Sequence, residues 1–295
     1  MRNFATLLRK EETALFSSPI AYVVMTVFLL IMGYSFTLTL FLSHQPSMVH
    51  IFFQMFVLFM LTAPLITMRL LAEERKLRTL EVLLTAPVSE VAIVLAKFVA
   101  SMSLIAVMLV LSGAYAAALA WFGDPDFGPI YSGYLGLVLF ASALVGTGLL
   151  ASALTANQVI AALVSLSVFL MLWIIDNFGW LLPSPADTLV VNLSLAVHFR
   201  PFAIGSIYLS DVGFFLSVTL LALAPNALAR ADAGEGLYGE TNDKVITNAM
   251  FVVIAFFPTL ILVLSLIQWR LDKRKHAKLD AAKRRAANVD WRGGW

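Results

Sequence analysis

Five apolar runs, each near the ~20 residues that a helix needs to cross the hydrocarbon core of a bilayer, fill most of the first 175 residues of this chain. They lie at about residues 20–42, 49–68, 89–122, 131–154 and 158–175. Inside them there is no Asp or Arg. Glu90 stands at the opening turn of the third run, and Lys97 lies near the same end, where its stem can snorkel to the interface. The runs predict an all-α fold, a polytopic membrane helix bundle. Composition agrees, with 60% of residues hydrophobic and 13% charged. Cys is absent, which excludes disulfides, iron–sulfur clusters and thiolate metal sites.

Two amphipathic segments accompany the runs. Residues 1–17 place Phe4, Leu7, Leu8 and Leu15 on one side of a helix and Arg2, Arg9 and Glu12 on the other, which predicts an N-terminal interfacial helix. Residues 69–90, RLLAEERKLRTLEVLLTAPVSE, carry Leu70, Leu77, Leu80 and Leu84 at i, i+7, i+10 and i+14, with Arg75 and Arg78 on the other face. That spacing predicts a continuous, rigid helix at a water-facing end, joined to the spans on either side. Ser89 is placed to cap the third span, and the small residues of the fourth and fifth, Gly133, Gly136 and Gly148 among them, allow close helix approach.

The run from AEE to LLTAPVS resembles the cytoplasmic coupling region of ABC type-2 permeases, the membrane subunits of ATP-driven exporters. Here Leu77 and Arg78 stand where a Gly is common in that family, a departure expected to stiffen the helix. FSSPIAYVVMTVFLL resembles the start of permeases associated with gliding motility and nitrous-oxide reductase maturation. LSLAVHFRPFAIGSIYLSDVGFFLS is similar to the family's extracytoplasmic segment before the last span. The resemblance covers about residues 1–220. It implies a non-catalytic subunit that forms the translocation path, needs no cofactor of its own, and pairs with a separate ABC ATPase. It also implies a homodimer or a heterodimer with a similar permease, in the inner membrane of a bacterium. Glu73, Glu74, Arg75, Thr79 and Glu81 are the expected ATPase contacts, and Leu77, Leu80 and Leu84 the residues expected to seat the coupling helix on the bundle.

Charge distribution predicts orientation. Arg2, Arg9 and Lys10 precede the first span, and Arg69, Arg75, Lys76, Arg78 and Lys97 cluster around the coupling segment. The turns after spans one and three carry no Lys or Arg. The positive-inside rule therefore puts the N-terminus and the coupling segment in the cytoplasm. The net charge of +2 suggests orientation in a bilayer rather than nucleic-acid binding.

The chain divides into a permease domain over 1–224, a polar linker over 225–244, and an additional span with a basic tail over 245–295. Residues 212–229 offer a short apolar run before Pro225, and nine basic residues follow Trp269. Together they predict a re-entrant or interfacial hairpin at 212–229 rather than a full crossing.

The absent chemistry narrows function further. There is no GxxxxGK[ST] phosphate loop, so ATP hydrolysis belongs to a partner chain. The scarcity of ionisable groups within the spans disfavours ion-coupled transport. The four His residues, 44, 50, 198 and 276, show no metal spacing, and His198 is expected to anchor the outer segment. A non-transporting membrane scaffold remains the competing reading. It differs in having no need of a stiff cytoplasmic segment between spans two and three.

Overall fold

The computed structural model describes residues 2–43, 47–79, 89–123, 125–181 and 186–228, which all belong to one compact unit. Among the described residues there are helices and turns and no strand. The helices are α1 (Arg2–Phe16), α2 (Pro19–Ser43), α3 (Val49–Thr67), α4 (Ala72–Lys76), α5 (Glu90–Phe122), α6 (Phe127–Leu154) and α7 (Gln158–Ile174). A 3-10 helix (Ile175–Leu181), α8 (Ala186–Val191), α9 (Leu195–Ala203) and α10 (Leu209–Leu228) complete the order. Five of them, α2, α3, α5, α6 and α7, are long and apolar enough to cross a membrane. The protein is a multi-pass helical bundle, as the apolar runs predict.

Short polar residues start the spans. Ser89 Oγ accepts from Ala92 N at 3.3 Å, Asp126 Oδ1 from Gly128 N at 2.9 Å, and Asn157 Oδ1 from Val159 N at 3.0 Å. Each satisfies an N–H that the first helical turn leaves without an intrahelical acceptor. The core gathers on α6, which packs against α3, α5, α7, α9 and α10. Its Phe140 stacks on Phe56 of α3 with ring centroids 4.3 Å apart, and Phe56 stacks in turn on Phe199 of α9 at 5.0 Å. Phe28 of α2 lies on Phe59 at 5.1 Å. These offset stacks add a directional term to non-directional packing. α3 and α6 approach closely because Gly133 and Gly148 leave room: a Cβ at the first would overlap the Phe52 ring, and at the second the Thr67 side chain.

Two local expectations are corrected. The single helix expected over 69–90 is broken: α4 has only 5 residues, and Arg78 follows it with φ of 56°, a left-handed conformation that no right-handed helix continues. Leu80, Glu81 and Leu84 lie outside the described residues. The hairpin expected at 212–229 is instead one helix, α10, of 20 residues and about 30 Å. Between Val212 and Ala224 there is no Pro or polar turn to reverse the chain, and the helix begins earlier, at Leu209. Phe215, Thr219 and Ala222 form its buried stripe, at the i, i+4 and i+7 spacing.

Candidate functional site: an ion-paired elbow beside a cavity

The segment between spans two and three folds as a tight elbow, fastened by side chains from distant parts of the chain. The first fastening starts at α1. Leu7 buries itself against Ile93 and Ala96 of α5, with Phe4 and Leu8 beside it, so the helix expected to lie in the headgroup layer also packs on the bundle. One turn on from Leu7, Glu11 then meets Lys97. Lys97 Nζ donates to Glu11 Oε2 at 3.1 Å and to Glu74 Oε1 of α4 at 2.8 Å, and its side chain is only 2% exposed. Lys97 therefore does not snorkel to the interface; two carboxylates meet it inside the protein. Geometry of this kind is what lets a buried cation persist, since each desolvated ion costs several kcal/mol before pairing.

The second fastening is Arg69, which precedes α4. Its Nε donates to Glu73 Oε2 at 2.9 Å, its Nη2 to Glu73 Oε1 at 3.4 Å, and its Nη1 to Ser18 Oγ at 3.0 Å. The planar guanidinium thus grips one carboxylate with two nitrogens and ties the elbow to the turn before α2. The third is Ser152 of α6. Its Oγ accepts from Leu71 N at 3.1 Å and Ala72 N at 3.0 Å, and donates to Met68 O at 3.2 Å. α4 lacks a cap from its own sequence, so this remote hydroxyl supplies one.

The expected contact residues separate into two groups. Glu73 and Glu74 are engaged within the chain. Arg75, partly buried, has no ion pair among the described residues, and Thr79 is exposed with its Oγ1 donating to Glu74 O at 3.3 Å. Leu77, expected to seat the coupling helix, is 63% exposed, because α4 ends just before it and Arg78 redirects the chain. Sequence reading missed Glu11, Arg69 and Ser152 as partners. The available signal was Lys97 itself: a lone charge well inside an apolar run calls for a partner.

Beneath the elbow lies a cavity of about 290 Å³ between α1, α2, the α3–α4 segment and α5. Ion-paired residues line one end of it and aliphatic residues of α2 and α3 the other. Toward the opposite end of α6, where Ser132 Oγ donates to Phe202 O at 2.7 Å, a second polar cluster holds α9 to α10. There His198 Nδ1 lies 2.7 Å from Asp211 Oδ1 and Nε2 lies 3.0 Å from Asn192 O, with the ring stacked on Phe214 at 3.9 Å.

A family model described as ABC-2 family transporter protein matches residues 4–273. The match runs well past residue 220, where the recognisable motifs end, and through the polar stretch 225–244. No curated protein and no solved structure matches the chain. A match over this length, on a multi-pass helical bundle with a charged elbow between its second and third spans, shows that the chain belongs to the ABC-2 transporter family, whose members are membrane components of ABC transporters.

Proposed function

We propose that this chain is the membrane subunit of an ATP-driven exporter, forms the translocation path, and is driven by a separate ABC ATPase that docks on the elbow. The carrying observation is the threefold fastening of the elbow by Lys97, Arg69 and Ser152. A scaffold is served equally well by a loose connector; a subunit that must receive force is not. Within the elbow, Glu73 and Glu74 hold its shape, while Arg75 and Thr79 face the ATPase; Glu81, outside the described residues, is the remaining expected contact. Two such membrane halves, from a second copy or a similar permease, enclose the path. The family resemblance favours a bacterial inner membrane, and the distribution of Lys and Arg favours the N-terminus and elbow in the cytoplasm. The FSSPIAYVVMTVFLL start favours the gliding-motility and nitrous-oxide-reductase-maturation branch of the family.

The test uses the full chain in nanodiscs with a stand-alone ABC ATPase of the same genome. Wild type should bind that ATPase and raise its turnover, and Arg75→Glu should lose both while keeping its elution volume. Failure of the wild type to bind, or equal stimulation by Arg75→Glu, refutes the docking model. Orientation is read separately with an impermeant thiol reagent on whole cells, since the chain has no native Cys. Gly123→Cys, in the turn after α5, should label and Lys76→Cys, at the elbow, should be spared; the reverse pattern defeats the assignment.

A further inference from the structure

The cavity under the elbow leaves part of its bonding capacity unused. Three cations, Lys10, Arg69 and Lys97, and three carboxylates, Glu11, Glu73 and Glu74, line its polar end, so the site is neutral and carries both signs. Lys97 and Arg69 are engaged with Glu11, Glu74, Glu73 and Ser18. Two groups remain within reach of an occupant. Glu11 lines the cavity, and its Oε1 has no hydrogen bond among the described residues, since Lys97 takes the other oxygen. Lys10 is 61% exposed and sits 3.9 Å from Glu11 Oε1, too long for a good hydrogen bond. The opposite wall is aliphatic, with Ala21, Val24, Leu65 and Ile66, and it continues into the exposed Ile20, Val23 and Val27 of α2. At about 290 Å³ the cavity is at the small end of ligand sites, which run from roughly 300 to 1,000 Å³. It has room for a headgroup and the first carbons of a tail, not for a whole lipid.

An occupant that completes this site needs N–H donors for a carboxylate, an anionic group for a lysine, and apolar chains that leave along α2. We propose that the cavity binds the headgroup of a bilayer phospholipid carrying a primary ammonium, that is, of the phosphatidylethanolamine type. The ammonium donates to Glu11 Oε1, the phosphate faces Lys10, and the acyl chains run along the exposed face of α2. An ammonium has three donors and meets the acceptor that Lys97 leaves unused. The lipid thereby becomes part of the contact between α1 and the elbow.

The full chain, purified in detergent without any ATPase, is titrated with short-chain phosphatidylethanolamine, phosphatidylcholine and phosphatidylglycerol, and bound lipid is read by native mass spectrometry. Phosphatidylcholine keeps the phosphate and the positive charge but has no N–H donor, so the ethanolamine lipid should bind about tenfold tighter, the ratio that one charge-assisted hydrogen bond commands. Phosphatidylglycerol, with no cation, should bind no better than phosphatidylcholine. Ala14→Trp, on the exposed side of α1 at the cavity wall, should abolish the preference and leave the elution volume unchanged. Equal binding of the ethanolamine and choline lipids, preference for the glycerol lipid, or a preference that survives Ala14→Trp would each overturn the assignment.

Discussion

Replacing Lys97 by Met keeps most of the side chain's length and removes the charge that Glu11 and Glu74 share. At N–O separations of 2.8 and 3.1 Å and an effective dielectric of ~20, the two attractions amount to about 6 and about 5 kcal/mol before desolvation. Desolvating three ions costs several kcal/mol each, so the intact triad contributes little net stability. The variant is not neutral, because the attraction disappears while two largely buried carboxylates stay. Breaking a buried pair from one side costs about 3–5 kcal/mol. The thermal unfolding midpoint of the full chain in detergent, followed by tryptophan fluorescence, should fall by about 6–20 °C at ~2–4 °C per kcal/mol. Lys97→Met combined with Glu11→Gln and Glu74→Gln should recover at least half of that loss, since no unpaired charge remains. A single variant within 2 °C of wild type, or a triple variant as unstable as the single, refutes the electrostatic reasoning.

Ser152→Ala leaves Leu71 N and Ala72 N without an acceptor, and should cost about 1–3 kcal/mol locally; hydrogen exchange at those two amides should accelerate, and unchanged exchange would contradict the capping role. Gly148→Ala drives a Cβ into Thr67 and should destabilise by about 1–3 kcal/mol, whereas Gly113→Ala, with nothing within 4 Å, should stabilise by up to ~1 kcal/mol. Thermal midpoints of the pair decide the matter, and equal shifts would count against close α3–α6 approach. His198→Leu strands Asp211, which is 6% exposed, and should cost about 3 kcal/mol, recovered in large part by adding Asp211→Asn. A double variant no more stable than the single would show that the pair acts through something other than charge.

The spans were legible because crossing a bilayer demands length and absence of charge, and both are written in the order of residues. The elbow's break was not. The leucine spacing continues through residues 77 and 78, and nothing in the composition announces a left-handed backbone at an Arg. Lys97 was visible as an oddity, but its partners lie 86 and 23 residues away in sequence, and no local pattern joins them. α10 was misjudged because the reading counted only the apolar residues before Pro225. The helix in fact starts upstream, through Ser210 and Asp211, whose polar groups can be satisfied at a helix N-terminus.

Ser152 also determines where the elbow is stiff. A hydroxyl that holds three backbone groups at once cannot slide without breaking all of them, so α4 and the C-terminal end of α6 move as one body. A connector hinged only to its sequence neighbours passes displacement to those two helices. This one engages the helix at the middle of the bundle, so a tilt of the elbow reaches α3, α5, α7, α9 and α10 together. Compliance is left to Leu77 and Arg78, where a single left-handed residue marks the end of α4. Removal of one oxygen atom from α6 would therefore cut the elbow's tie to the middle of the bundle while leaving its ion pairs and every span intact.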